Sequence, residues 1–285
     1  MLLIVRPIIL VTLLCLTFSP GVSAADLLFA AVVFYGLDFL LRRWLQANKR
    51  KEEAAHIRLV LQLHPTPYYK ALNQQQQLEF EDRLVRFIQL KQFVPRGKGM
   101  EVTTEMKVKI AACAVQLTLG LREIHFAHFK TFIIYPDRYY STIYKQYHCG
   151  EVNMRGLIVL SWRDFEIGNY NPKDGLNLGL HEMAHALHLE NSIRNQEYDF
   201  LNRAYLQHWT VLSESERQRM QLEKSIFRRL CTAPDEHEFF AVAVELFFEL
   251  PQLLKQEHPE IYSSLARLLN QDPAAKVTHQ IIQTA

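Results

Sequence analysis

The segment from residue 175 to residue 187 constrains the fold of this chain more than any other, because it combines an apolar helical pattern with two histidines. Leucine and methionine recur there at helical spacing, and His181 and His185 fall on the opposite side. Residues four apart in a helix lie one turn apart on the same face, with about 5 to 6 Å between their Cβ atoms. The pattern therefore predicts a helix that buries one side and presents two imidazoles together on the other.

The residue types at this spacing are those of a zinc site. Two imidazole nitrogens can converge on one Zn²⁺ at about 2.0 to 2.1 Å. Glu182 follows the first histidine, where a carboxylate can take a proton from water that the metal activates. The alternative is an ordinary amphipathic helix, but a polar triplet without function would be costly to bury in so apolar a segment. We therefore predict His181 and His185 as zinc ligands and Glu182 as the catalytic base.

A hydrolytic zinc site needs a third protein ligand, and the sequence offers one downstream. Glu238 and Glu245 share a helical face, two turns apart, in a segment whose other residues form a core pattern. A carboxylate buried there needs a cation or a hydrogen-bonded partner. We predict Glu238 as the third ligand, as in gluzincins, and Glu245 as the residue that orients a ligand histidine. Spacing alone leaves Glu236 and His237 open as ligands, and leaves a helix-capping role open for Glu238.

The chain from about residue 51 has the pattern of one α+β domain. Apolar residues at helical spacing predict two helices before any strand. Helical patterns return beyond residue 174 and continue to residue 270. Three β-branched or aromatic runs lie between these helical parts and predict strands, at residues 131–135, 139–147 and 156–162. The expected fold is therefore a small central sheet flanked by helices.

Composition excludes some classes of function. The 285 residues are 49% hydrophobic and 22% charged, as in a globular protein with a sizeable core. The 32 basic residues nearly balance the 30 acidic ones, so a direct nucleic-acid partner is not expected. The four cysteines form no Cys-x-x-Cys pair, which argues against a disulfide framework or a cysteine zinc site.

Two apolar stretches open the chain and predict a membrane region over residues 1–50. Residues 1–24 resemble either a signal peptide or a first span, and a second span is expected over about residues 26–42. Asp38 opposes the second span, because a carboxylate in hydrocarbon costs about 3 kcal/mol. The remainder of the chain, residues 51–285, is expected to form a metallopeptidase domain that binds Zn²⁺.

Basic residues follow the second apolar stretch and predict the topology of the chain. Positive flanks normally stay in the cytoplasm, so the expected location is the inner membrane with the catalytic domain facing the cytoplasm. In the alternative topology only the first stretch spans, and the domain lies on the outer side.

In the segments around the two histidines and Glu238, the chain resembles the Mlc titration factor A family of bacterial zinc peptidases. The catalytic fold of that family is similar to the protease domain of anthrax lethal factor. The likeness rests on residues 156–162, 174–187 and 238–248 and covers roughly residues 65 to 270. Two spaced motifs together are far more specific than His-Glu-x-x-His alone. The resemblance implies a zincin-like fold with zinc on His181, His185 and Glu238, and with Glu182 as general base.

The resemblance also implies how a substrate binds. A peptide would lie along the strand of Leu157, Val159 and Leu160 as a sheet edge, paired through its backbone. One position departs from the family pattern: seven residues before Glu238, where the family tends to have a tyrosine suited to the oxyanion, this chain has Cys231. A thiol is a weaker hydrogen-bond donor than a phenol, which puts the catalytic rate in doubt more than zinc binding.

The sequence therefore predicts a membrane-tethered zinc peptidase that acts on peptide or protein substrates through water activated by Glu182. The alternative is a catalytically weak zinc-fold module that sequesters a transcriptional regulator. The name of the resembled family implies such a partner, and Cys231 favours weak catalysis.

Overall fold

The computed structural model describes residues 23–141, 145–223, 228–233 and 235–275. The chain divides into two compact units, residues 1–56 and residues 57–285. The described part of the first unit belongs to a long helix, α1 (Ala24–Leu63), whose last turns lie in the second unit.

The predicted second membrane span is wrong. Within the described ranges, no helix is both long and apolar enough to cross a membrane. The reason lies in the charges of α1: Asp38 and Arg42, paired at 2.9 Å, interrupt its apolar part long before the roughly 20 residues that a span requires. The predicted signal or first span over residues 1–24 falls almost entirely outside the described residues. The expected location at the inner membrane stays a prediction.

The second unit is largely helical, and side-chain caps define where several helices begin. Asn73 forms a capping box with Gln76 at the start of one helix, and Asn177 and Asp235 cap two others. The helices are α2 (Pro67–Lys70), α3 (Gln74–Leu90), α4 (Thr104–Thr118), α5 (Trp162–Tyr170), α6 (Leu178–Ser192), α7 (Arg203–Glu223), α8 (Arg228–Cys231), α9 (Glu236–Glu249), α10 (Pro251–Glu257) and α11 (Pro259–Leu269).

The strands form a mixed four-stranded sheet and a separate hairpin. They are β1 (Gln92–Pro95), β2 (Thr131–Tyr135), β3 (Tyr139–Ser141), β4 (Gln146–His148), β5 (Gly150–Asn153) and β6 (Leu157–Ser161). The sheet order is β1-β2-β6-β5, with β1, β2 and β6 parallel and β5 antiparallel to β6. The hairpin joins β3 and β4. The fold is thus α+β, with helices around a small sheet, as the sequence pattern predicts. The expectation of two helices before any strand is wrong, because β1 lies between α3 and α4. The run predicted as one strand over residues 139–147 contains instead the two strands of the hairpin.

The sheet order corrects the expected position of the substrate edge. β6 pairs with β2 on one side and with β5 on the other, so its Leu157, Val159 and Leu160 do not form an edge. Val159 and Leu160 are also buried, at 7% and 0% exposure. The edge beside the histidine helix is β5, which the sequence pattern misses because this short strand has Val152 as its one β-branched residue.

Helix α6 occupies the centre of the packing. It contacts α9, α4, α5 and strand β5, and its Met183, Ala184 and Leu187 are fully buried. Burial of one such leucine contributes roughly 1.5 to 3 kcal/mol. A Cβ atom at Gly179 would lie 2.5 Å from Cys113 Sγ, so the close approach of α6 and α4 requires glycine there.

The far end of α6 is fixed by buried carboxylates. Glu190 accepts hydrogen bonds from the backbone N–H of His128 at 3.1 and 3.2 Å, and Glu197 accepts from His125 and Ala127 at 2.7 and 3.1 Å. Nearby Lys91 donates to a backbone carbonyl, and burial lowers its pKa to about 8. These groups form the hydrogen bonds that the loop backbone at residues 125–128 requires, and they hold the end of α6 in place.

Candidate metal centre

Three side chains from two helices converge at one point. His181 and His185 come from consecutive turns of α6, and Glu238 comes from the first turn of α9. The two histidine Nε2 atoms lie 3.1 Å apart. Glu238 Oε2 lies 3.4 Å from His181 Nε2, and its Oε1 lies 3.2 Å from His185 Nε2. The structure therefore brings together three of the residues named from the sequence.

The spacing of these donor atoms fits a tetrahedral cation. Zinc–ligand bonds of 2.0 to 2.1 Å at tetrahedral angles place neighbouring ligand atoms about 3.3 Å apart. The distances of 3.1, 3.2 and 3.4 Å lie around this value, with the two imidazoles facing different oxygens of the Glu238 carboxylate. Two imidazoles and a carboxylate are also the donor set of many catalytic zinc sites, which leave a fourth position open.

The contact between Glu245 and His181 fixes which ring nitrogen faces the site. Glu245 Oε1 lies 2.8 Å from His181 Nδ1, and because the carboxylate accepts, the hydrogen is on Nδ1. In the neutral ring Nε2 then carries a lone pair and points at His185 and Glu238. Three electron-rich donors facing one another at these distances are stabilised by a positive charge between them.

The electrostatics of the cluster agree with this requirement. Burial opposes a charged imidazole, but the hydrogen bonds with Glu238 and Glu245 outweigh it and raise the pKa of His181 to about 10. In turn, hydrogen bonds from His181 and His185 hold the pKa of Glu238 well below its usual range. The cluster therefore favours a bound positive charge, which either a proton or a metal cation can supply.

Glu245 is itself held by further donors. It is 1% exposed and accepts from the backbone N–H of Asn177 at 2.6 Å. Arg229 on α8 donates to both its oxygens, at 2.8 and 3.1 Å, and also to the Gly175 carbonyl at 2.8 Å. Sequence reasoning misses Arg229, which lies in a basic pair that reads like ordinary surface charge. Asn177 could have been identified from the sequence, because it immediately precedes the histidine helix, where an N-cap residue is expected.

Glu182 lies in a close fit against the edge strand. It is 5% exposed, and a Cβ atom at Gly150 of β5 would lie 2.1 Å from its Oε1. Burial raises the pKa of Glu182, while the nearby charges of His181 and His185 oppose the rise. The space for this carboxylate thus depends on the absence of a side chain at Gly150, a dependence visible only in the folded structure.

A cavity of about 630 Å³ opens over the cluster. Its lining includes the three donor residues, Glu182, the β5 residues Gly150, Glu151 and Val152, and the side chains of Arg138 and His237. Leu157, Val159 and Leu160 are not among the residues that line it. This volume lies in the range of small-molecule and peptide sites.

The two alternative ligands make other contacts. Glu236 accepts a hydrogen bond from Thr210 at 2.9 Å. His237 packs edge-to-face on His188, with ring centroids 4.5 Å apart. Neither belongs to the converging group. The side chain of Cys231 lies outside the described part of the structure.

Comparison with known families agrees with this geometry. The chain matches the model of the family described as glucose-regulated metallo-peptidase M90 over residues 41–269, which is most of its length. The chain belongs to this family. It is therefore a metallopeptidase-type protein, for which a metal site is expected.

Individual relatives give the same result. An uncharacterized protein of Synechocystis sp. is 29% identical over 225 residues, covering 73% of this chain and 81% of the relative. Mlc titration factor A of Escherichia coli strain 55989 is 25% identical over 231 residues, covering 75% of this chain and 86% of the relative. The same-named protein of E. coli strain IAI39 is 26% identical over 232 residues. The resemblance to the Mlc titration factor A family is thereby confirmed.

Removal of the Glu245 charge is expected to weaken metal binding. Glu245→Gln leaves a similar shape but removes the carboxylate that orients His181, and loss of such a partner typically lowers metal affinity by about 10- to 100-fold. Competition of zinc-loaded protein against a chelator measures this affinity. Glu236→Gln, on the same helix but bonded to Thr210, is the matched control and should retain the wild-type affinity. Equal affinities in both variants would contradict the role of Glu245.

Proposed function

We propose that this chain is a zinc-dependent peptidase, with Zn²⁺ held by His181, His185 and Glu238 and with Glu182 as the general base. The observation that carries the proposal is the convergence of three donor side chains, whose facing atoms lie 3.1 to 3.4 Å apart, beside the buried carboxylate of Glu182. When bound there, Zn²⁺ supplies a Lewis acid that polarises a scissile carbonyl and makes water more acidic.

Glu182 would move the proton. Its carboxylate lines the same cavity as the three donor residues, within reach of a water that enters between it and the donors. A general base works best when its pKa lies near the working pH, and burial shifts the pKa of Glu182 upward in that direction. The carboxylate would take a proton from the attacking water and later deliver it to the leaving amine.

Strand β5 would bind the substrate backbone. It is an edge strand whose Glu151 and Val152 line the cavity, so an extended peptide can add to the sheet beside Glu182. This replaces the assignment of the same role to β6. His237 also lines the cavity next to Glu238, and the ring of His188 packs against it. The ring N–H of His237 is our candidate donor for the developing oxyanion. It would replace the tyrosine of the family pattern, whose position is occupied here by Cys231.

A second function, the sequestration of a regulator, is favoured by the names of relatives. Several E. coli relatives are named Mlc titration factor A, and a corresponding partner of this chain would be an Mlc-like transcriptional regulator. The two functions separate in one experiment with the purified chain. Formation of a stable complex with an Mlc homologue from the same host, together with no turnover of a peptide library, would favour sequestration over catalysis.

Replacement of the proposed base is expected to abolish turnover without loss of metal. Glu182→Gln keeps the shape of the side chain but cannot accept the proton, and loss of a general base typically costs about 10²- to 10⁴-fold in rate. Peptide turnover and zinc content are measured on the same preparation. Turnover in the variant equal to that of the wild type would exclude this mechanism.

Enlargement of Gly150 tests the position of the base separately. The Cβ atom of Gly150→Ala would overlap Glu182 Oε1, so the carboxylate must move and turnover should fall while the zinc content stays the same. Asn153→Ala, on the same strand but outside the cavity lining, is the control and should change turnover much less. If Gly150→Ala retains full turnover, the position of Glu182 against β5 is not required for catalysis.

A further inference from the structure

A second cavity of about 560 Å³ lies beyond the proposed metal centre, where no role has been assigned. Asn177 belongs to the linings of both cavities. Its backbone N–H binds Glu245 beside the metal centre, and its side-chain amide donates to Glu249 in the second cavity at 3.0 Å. The second cavity is therefore a neighbour of the metal centre with its own acidic group, Glu249.

The Glu249 carboxylate is buried, and the donors that contact it within the described residues are neutral. It is 8% exposed and accepts from the backbone N–H of Leu176 at 3.1 Å and from the Asn177 amide. A carboxylate has about four lone-pair sites. The backbone N–H of Gly175 is a third donor, so these groups leave capacity for one further partner from within the cavity.

The surroundings of Glu249 favour a cation. Among the described parts of the chain, no lysine, arginine or histidine forms an ion pair with it, and Asp174 and Glu245 add negative charge nearby. Glu249 is also the last residue of α9, where the helix carbonyls make the potential more negative. Burial, reinforced by these negative groups, raises the pKa of Glu249 to about 7. A cation beside the carboxylate would relieve these costs.

The rest of the lining combines apolar and aromatic residues with polar ones, which include Lys109, Lys173 and Glu166. Tyr68 and Phe248 meet edge-to-face with ring centroids 5.8 Å apart, and three prolines, Pro65, Pro67 and Pro251, complete this side. The nearby ammonium of Lys109 is already paired, with Glu105 at 2.8 Å and Glu166 at 3.1 Å. Aromatic faces attract organic cations, and an apolar wall favours a ligand with a hydrocarbon body over a hydrated metal ion.

We propose that this cavity binds a small organic ammonium ion with an apolar body, and that the carboxylate of Glu249 is its counter-ion. The site is distinct from the peptidase centre and does not depend on catalysis. Asn177 is unsuitable for testing it, because a change there also removes a contact of Glu245.

The probe is benzyltrimethylammonium, whose nitrogen has no lone pair and so cannot coordinate zinc. Calorimetric titration into the full-length, zinc-loaded protein at pH 8 should show one binding site. Benzyl alcohol, a neutral compound of related shape, should bind at least about tenfold more weakly because it offers no charge to Glu249. Equal binding of the two compounds would overturn the proposal.

Two variants locate the site. Glu249→Gln should weaken binding of the cation at least about tenfold, whereas Glu257→Gln, an exposed carboxylate on α10, should not change it. Ala71→Phe fills the cavity while Glu249 stays intact, and should also remove binding. Circular dichroism checks that each variant folds, and if Glu249→Gln does not, Ala71→Phe decides the question. Undiminished binding in the folded variants would overturn the proposal, and so would an equal loss in Glu257→Gln.

Discussion

The contact between Glu245 on α9 and His181 on α6 is the interaction on which the site depends. It joins the two helices that carry the donor residues and determines which nitrogen of His181 faces inward. Glu245 is almost completely buried, and a buried charge with a partner removed typically costs 3 to 5 kcal/mol. Arg229 and the Asn177 backbone meet that cost by saturating its oxygens. The rigidity of the cluster therefore comes from residues that do not contact the proposed metal.

Buried polar groups with hydrogen-bond partners also lie at both ends of α6. Asn177 caps its first turn, Glu245 and Glu249 bind the segment before it, and Glu190 near its last turn binds the loop at His128. Each group is buried and each is hydrogen-bonded, as stable interiors require. A helix restrained at both ends holds its two imidazoles in a fixed relation, which is the condition for catalytic geometry. One network of buried polar groups thus stabilises α6 and holds the proposed metal ligands.

The sequence is informative where the physics is local. Helical period alone predicts that His181 and His185 share a face, and that Glu238 and Glu245 share a face of a distant helix, although spacing leaves Glu236 and His237 open as ligands. Glu245 is buried as the apolar pattern around it suggests, whereas Glu238 is only half-buried. The β2 and β6 strands are predicted because their apolar runs are β-branched and bounded by turn residues.

Features set by tertiary packing were not predictable in the same way. Two examples are the space that Gly150 leaves for Glu182 and the hydrogen bonds from Arg229 to Glu245. The residues of each pair are far apart in sequence, and no periodicity connects them. The edge strand β5 is too short to show a pattern of its own. The predicted membrane span failed because the charges of Asp38, which the sequence already shows to oppose a span, and of Arg42 limit the apolar run.

The most direct test of the central claim is the position of the metal. Anomalous diffraction at the zinc absorption edge, from crystals of the zinc-loaded protein, locates the ion independently of activity. We expect one strong peak about 2.0 to 2.1 Å from Nε2 of His181, from Nε2 of His185 and from a carboxylate oxygen of Glu238. A peak at another site, or Glu238 turned away from the two histidines, would contradict the account.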